Sequence, residues 1–549
     1  MRLNDKELEN RALWVEKGYK LPEYDREKIR ENTHKAPVWV HFGAGNLFRA
    51  FQAKALQEVL NTGDTDKGIV VAEGFDYEII DRVFKPCDNL GISVTLRTNG
   101  SVEKEVVGSV TEALKLDRED KGDYGRLTEI FRSDSLQMAS FTITEKGYCL
   151  TNSEGQLLPQ VRKDMETGPE HTQSYMGKVC ALLYERYRAG EKPISMVSMD
   201  NCSHNGDRLC EAVSSFAEEW EKRELIQKGF SDYIRDREKT AFPWTMIDKI
   251  TPRPDDTVGD MLREDGLEQT ETIVTGKNTY TAVFVNAEEC RYLVVEDAFP
   301  AGRPPLEKAG IIFTTRDTVE KAEKMKVCTC LNPLHTALAV FGCLLGYQLI
   351  YEEMENRDLK RLIERIGYQE GLPVVVHPGI LEPKEFLDQV INTRLPNPFI
   401  PDAPQRIATD TSQKLSIRFG ETIKAYEKDP DKNARDLEGI PLVFAGWLRY
   451  LLGIDDCGKP MKLSPDPLIE ELCPKLAGIR LDEKSKAWNH KDLNGVREIL
   501  KRQDIFGVDL YAAGLGEKVE RFFEKMAAGP HAVAETLKNM EWQGRYERK

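Results

Sequence analysis

The chain has 549 residues, a formal net charge of −15, 40% hydrophobic and 31% charged residues. That length exceeds what one core needs, and the composition is that of a folded globular protein, so two large domains are expected. The acidic balance makes the chain a poor candidate for non-specific nucleic-acid binding, which needs a basic footprint, but allows a local basic pocket for an anionic ligand.

The opening segment, MRLNDKELENRALWVEKGYK, is charged throughout and has no apolar region of the kind a signal peptide carries. Residues 1–36 are expected to form an amphipathic helix with a polar lead-in. PVWVHF at 37–42 is a short apolar run. Gly43-Ala44-Gly45 follows, then NLFRAFQAKALQEVL with helical spacing at Phe48, Phe51, Ala55 and Leu56. The next apolar run, GIVVAEGF at 68–75, comes at the distance a βαβ crossover needs.

The turn reads G-x-G-x-x-x-R-A, short of the full G-x-G-x-x-G pattern. It is either a tight turn without a ligand or a dinucleotide cradle, and the strand-turn-helix context favours the cradle. Gly43 and Gly45 let the backbone approach a pyrophosphate, Asn46 stands where the helix opens, and Arg49 adds a cation. Glu73 and Asp76 end the second strand, where a carboxylate accepts from a ribose diol and repels a 2′-phosphate. NAD (NADH) is therefore expected over NADP.

Further apolar runs at 139–147, 193–201, 282–287 and 291–297 alternate with helical stretches, the pattern of a mostly parallel sheet. One of them leads into SMDNCSHNGD at 198–207. Asn201 there is a candidate to hold an oxyanion, or a plain residue of a strand-end turn. Asp248, in FPWTMIDKITPRP, can bind a sugar hydroxyl or pair with Lys249.

After about residue 311 the segments at 336–350, 354–368, 412–427, 434–453 and 515–528 have helical spacing, and the Pro-rich LPNPFIPDAP at 395–404 is a loop. The expected organisation is a Rossmann-like α/β NAD-binding domain over 1–310 with an N-terminal extension, and a mostly α-helical substrate domain over 311–549, with the ligand in the cleft between them. ALAVFGCLLGYQLI at 337–350 is too short to span a bilayer, so no membrane partner is expected. Eleven scattered cysteines without a CxxC pair fit reduced thiols in a cytoplasm.

KVCTCLNPLH at 326–335 carries the chemistry. Lys326 can take a proton, Asn332 can hold a developing alkoxide and His335 can orient a hydroxyl. Lys and Asn are poor zinc ligands, so oxidation of an alcohol without a metal is expected. Asn332-Pro333 also has the form of a helix start, with Asn as N-cap and Pro first in the helix. Arg406, Asp410 and Lys414 fall at i, i+4 and i+8, giving either a salt-bridge ladder on one helix face or a cationic wall for substrate.

The ordered blocks HFGAGNLFRAFQ, FTITEKGY, SMDNCSHNGD, FPWTMIDKITP, VVEDAFPAGRPPLEKAG, EKMKVCTCLNPLH and RIATDTSQK resemble the long-chain polyol dehydrogenase family, that of mannitol 2-dehydrogenase, fructuronate reductase and tagaturonate reductase. The resemblance implies an NAD(P)-linked, zinc-independent sugar or uronate oxidoreductase. It makes Lys326 the catalytic base and Asn201 and Asn332 the oxyanion pair. His335 and Asp248 match substrate-binding positions, Glu323 a carboxylate that relays the proton, and Arg406 and Lys414 the cations of the substrate wall. One departure is that Asn332 lies six residues after Lys326, where the family usually has five.

The chain is also longer than typical mannitol dehydrogenases, which resembles the branch of mannonate oxidoreductases. That branch implies reversible reduction of D-fructuronate to D-mannonate with NADH, the uronate carboxylate meeting Arg406, Lys414, Arg394 or Arg253. A mannitol 2-dehydrogenase or tagaturonate reductase is the alternative, and a non-catalytic nucleotide-binding protein a distant third. The small-molecule substrate is the expected partner, on a monomer or homodimer.

Overall fold

A computed structural model describes residues 1–479 and 493–540; the end of the C-terminal tail, 541–549, lies outside the described residues. The chain forms two compact units, Met1–Val319 and Glu320–Lys549.

The first unit is built on a parallel sheet of β1 (Trp39–Phe42), β2 (Ile69–Glu73), β3 (Val110–Lys115), β4 (Met138–Phe141), β5 (Ile194–Ser198) and β6 (Thr240–Ala241), in the spatial order β3-β2-β1-β4-β5-β6. Every pairing in it is parallel, with Val40 opposite both Val70 and Ala139. β1, β2, β4 and β5 are buried along their whole length. A sheet covered on both faces needs continuous apolar runs rather than alternation, and that is how these strands read in sequence.

Successive residues feed two cores. Val40, Phe42, Val70, Ala72, Ala139 and Phe141 face helices Lys121–Arg132, Tyr175–Arg188 and Asn205–Lys222. Trp39, Ile69, Val71 and Met138 face the other way, onto Phe48, Phe51, Leu56 and Val59. The long apolar helices thus seal both sides and leave the strand ends for loops.

Not every apolar run joins this sheet. Residues 284–287 pair in parallel with Gly91–Leu96 in a second sheet, and 292–296 pair antiparallel with Thr245–Asp248 in a third. The expected single N-terminal helix is divided into Asp5–Leu8, Arg11–Glu16 and Arg26–Lys35, with the short strand Tyr19–Lys20 between. Gly18 at φ 81° and Pro22 break it, because neither continues a helix.

The second unit is helical. Helix Gly439–Tyr450 is buried at every position, and Asn332–Leu345 nearly so. Phe444 meets Phe419 and Phe506 edge-on, at 5.7 and 4.8 Å between ring centroids. Helix Arg316–Leu345 is long and apolar enough to cross a membrane by length and composition alone, but 78% of its apolar window is buried inside the protein.

Candidate active site

In open α/β sheets ligands collect at the carboxyl ends of the strands, and the predicted residues of the first unit gather there. Gly43 leaves β1 at φ 104°, its N–H bonded to Ala72 O at 2.9 Å. A Cβ on Gly43 would lie 2.2 Å from Thr142 O, so only glycine fits. A Cβ on Gly45 would meet nothing within 4 Å. The protein leaves open space where the turn faces outward, at the start of a helix whose first N–H groups have no intrahelical acceptor. That combination fits a dinucleotide pyrophosphate.

Glu73 locks this turn to β2. Its carboxylate accepts from Ala44 N at 2.8 Å, Phe75 N at 2.8 Å and Asp76 N at 3.1 Å. Burial raises its pKa, opposed by those three N–H bonds. Asp76, also buried, accepts from Thr275 Oγ1 at 2.5 Å. Both acids assigned to a ribose from sequence are thus engaged by the protein itself. Asn46 Nδ2 donates to Pro252 O at 3.3 Å.

Arg49 departs from expectation. It lies in the wide π-turn Phe48–Gln52, all of whose residues are buried, and donates to Ala282 O at 2.8 Å. Its guanidinium sits 5.7 Å from the Phe84 ring centroid, and burial pulls its pKa down to about 10. It braces the second sheet instead of supplying a cation to the turn.

Asn201 is exposed just beyond β5. Its neighbour Asp200, which sequence reading passed over, joins two of the quoted blocks. Asp200 accepts from Ile143 N at 2.9 Å, Thr144 N at 2.8 Å and Tyr148 Oη at 2.6 Å. It thereby ties the ends of β4 and β5 and holds Thr144 at φ 64°, a strained angle for a β-branched residue. The available signal was the pairing of FTITEKGY and SMDNCSHNGD at the ends of adjacent strands. Asp248 is buried at the end of its strand, opposite Tyr292. Lys249, one of the two alternatives for Asp248, donates to the carbonyl of Glu288.

In the second unit Lys326 is 2% exposed and opens a π-turn, Lys326–Cys330, closed by Leu331 N to Lys326 O at 3.1 Å. A π-turn absorbs one extra residue inside a helix without changing the phase of the turns around it. The sixth step between Lys326 and Asn332 is accommodated there. Asn332 is not the N-cap: Leu331 is, and Asn332 is the first residue of the helix. Glu323, one turn before Lys326, is half-buried.

The Arg406–Asp410–Lys414 ladder does not form, because the helix ends at Ile407 and Asp410 turns the chain at φ 53°. Arg406 pairs with Asp402 behind it, while the Lys414 ammonium folds back onto the carbonyls of Ile407 and Thr409. His335 Nε2 lies 3.7 Å from Asp402 Oδ2. Burial lowers its pKa to about 4, against Asp402, with Arg418, Arg394 and Arg406 adding to the shift. Lys414 is lowered to about 8 by burial and by Arg418, partly opposed by Asp410. Arg418, missed in the sequence, donates to Thr336 Oγ1 at 2.5 Å, and burial lowers it to about 10. Cations thus crowd around one neutral imidazole. Among the described residues no group of three or more His, Cys, Asp or Glu could hold a metal ion.

A Gly-turn nucleotide fold joined to a helical unit that carries a buried lysine, an asparagine and an imidazole on one short stretch defines an oxidoreductase of CH–OH groups. The mannitol dehydrogenase Rossmann domain matches residues 37–308 and the mannitol dehydrogenase C-terminal domain residues 318–527, so the chain belongs to the mannitol dehydrogenase family.

It is 53% identical to a D-mannonate oxidoreductase of Thermotoga maritima, over 98% of this chain and 99% of that protein. It is 29% identical to the D-mannonate oxidoreductase of Escherichia coli, over 82% and 86%. Among solved structures it resembles the Pseudomonas fluorescens mannitol 2-dehydrogenase ternary complex with NAD and D-mannitol, at TM-score 0.69 and 26% identity, covering 98% of this chain and 99% of that one.

Proposed function

We propose that this enzyme interconverts D-fructuronate and D-mannonate with NADH and NAD, using Lys326 as the proton carrier. The relatives at 53% and 29% identity support the substrate class. The observation that carries it is the grouping of Arg394, Arg406 and Arg418 about His335, and of Arg406 and Arg418 about Lys414. A uronate carboxylate can pair with that charge through charge-assisted hydrogen bonds.

Bound NADH supplies the hydride that reduces the carbonyl carbon. In that direction Lys326 gives its proton to the carbonyl oxygen, and Asn201 and Asn332 donate N–H bonds to the same oxygen as its charge grows. Glu323, three residues before Lys326, shares its helix face and returns a proton from solvent. His335, neutral near pH 7, hydrogen-bonds a substrate hydroxyl, and Asp248 accepts from another. The carboxyl groups of Glu73 and Asp76 stand at the end of β2, where a 2′-phosphate would crowd them, which supports NAD over NADP. The eleven cysteines, none of them in a disulfide among the described residues, support a reducing, cytoplasmic setting.

The test is NADH oxidation by the purified protein with D-fructuronate, D-tagaturonate and D-fructose side by side. Fructuronate is expected to give the highest kcat/KM. A preference for fructose would overturn the uronate assignment, and a preference for tagaturonate would keep the mechanism but change the substrate.

A further inference from the structure

An amide that stabilises an oxyanion has to be held to within about 0.5 Å of its working position. Asn201 stands in the turn between β5 and helix Asn205–Lys222, and the residue before it supplies the hold. Asp200 is 6% exposed, and its carboxylate accepts from three groups of one strap, 142–148, that follows β4: Ile143 N, Thr144 N and Tyr148 Oη. The phenol has a single proton and donates it to Asp200. The 2.8 Å bond between Tyr148 Oη and Ser198 Oγ is therefore donated by Ser198, the last residue of β5.

The strap is fixed at its other end as well. Thr142 N donates to Phe42 O at 2.9 Å, His41 Nε2 and Thr142 Oγ1 lie 2.9 Å apart, and Thr142 O is the atom that a Cβ on Gly43 would strike. Between the two anchors Thr144 has φ 64° and ψ 160°, a region of backbone space essentially reserved for glycine. A threonine stays there only while its surroundings over-determine it, and the N–H bonds to Asp200 do so.

The backbone of Asp200 is clamped from another direction. Its carbonyl accepts from Asn205 Nδ2 at 3.0 Å, and Asn205 is fully buried. The same side chain donates to Thr245 O at 3.0 Å and to Thr245 Oγ1 at 2.8 Å, and accepts from Thr245 N at 3.0 Å. Thr245 opens the strand that ends at Asp248. Asp200 thus meets the strap beneath the cofactor turn through its carboxylate and the substrate strand through its carbonyl, with Asn201 as its chain neighbour.

We infer that Asp200 is a positioning residue for the reduction: with Tyr148 and the 142–148 strap it holds Asn201 in register with the cofactor turn, and it acts on the reaction through Asn201. This rests on the oxyanion reading of Asn201 above. An amide displaced by about 1 Å no longer meets the charge that grows on the carbonyl oxygen. The cofactor turn keeps its own bonds to β2 and Glu73 when the strap loosens, so the effect falls on the chemical step and not on cofactor binding.

The experiment is a double-mutant cycle in the full-length enzyme, read as the single-turnover rate of NADH oxidation with the keto-sugar it reduces fastest. Tyr148→Phe removes one hydroxyl and leaves the ring in place. It is expected to lower that rate by roughly 10- to 100-fold, with KM for NADH within about twofold of the original. Asn201→Ala is expected to lower the rate by roughly 10²- to 10³-fold, the range of one lost oxyanion donor. In the double variant Tyr148→Phe should add no more than about a twofold loss, because the amide it positions is gone. Losses that multiply in the double variant are those of a merely structural role and would overturn the inference. So would an unchanged rate in Tyr148→Phe beside an impaired Asn201→Ala, an outcome that leaves the oxyanion reading standing. An unimpaired Asn201→Ala would overturn both. Should Tyr148→Phe not fold, Asp200→Asn, which keeps one acceptor oxygen, takes its place in the same cycle with the same expected outcomes.

Discussion

The two units handle charge in opposite ways. In the first, the acids Glu73, Asp76 and Asp200 are consumed by the protein's own N–H and O–H groups, and the open position at Gly45 is bare backbone. In the second, Arg394, Arg406 and Arg418 act on His335 together with Asp402, and Lys414 lies among Arg406, Arg418, Asp410 and Asp466. A backbone cradle recognises what all dinucleotides share, and on the function proposed above the side-chain cations distinguish sugars by charge. Cofactor binding should therefore be sensitive to backbone geometry, and substrate choice to single side chains.

The largest expected effect separates chemistry from both kinds of binding. Lys326→Ala should lower kcat by roughly 10²- to 10⁴-fold, the range of a lost general acid-base group, while NADH binding followed by fluorescence is unchanged. Turnover within about threefold of the original would remove Lys326 from the mechanism.

The two glycines of the turn should part company. Gly43→Ala drives a Cβ onto Thr142 O and should destabilise the first unit by about 3 kcal/mol or more, seen as a drop in Tm. Gly45→Ala should leave Tm almost unchanged and raise KM for NADH roughly tenfold, the equivalent of about 1.4 kcal/mol. Equal effects on stability would mean that the open position at Gly45 has no ligand to serve.

Charge in the second unit should govern the sugar alone. Lys414→Met is expected to raise KM for fructuronate by roughly tenfold, as for a charge-assisted bond, and to leave any residual activity on fructose unaffected. Comparable losses on both sugars would place Lys414 in a structural role.

The smallest effect is in pH. Lys414, held near pKa 8, is cationic below that pH and loses its charge as pH rises through it. KM for fructuronate should therefore climb above about pH 8 in the original enzyme, and this limb should be absent in Lys414→Met. A KM profile that stays flat from pH 7 to 9 in the unaltered enzyme would contradict the assignment.

Much of this was legible in the residues. Buried parallel strands read as unbroken apolar runs, so β1, β2, β4 and β5 stand out, and Gly43 marks a turn that no side chain permits. The misplacements have physical causes. Arg49 was assigned by its distance from the glycines, but a π-turn buried it. The i+4 spacing of Arg406, Asp410 and Lys414 assumed a helix that stops at Ile407. Asp200 and Arg418 carry no local pattern, because their partners lie 52 to 57 and 82 residues away in the chain.

The sequence by itself determined what is local and repetitive: two fold classes, a phosphate-type turn, and a lysine, amide and imidazole on one short stretch. The tertiary structure alone decided which of the acids and cations the protein's own groups engage. Hydrogen bonds and burial are set by residues far apart in the chain, so a carboxylate that looks free in sequence can be an anchor in space.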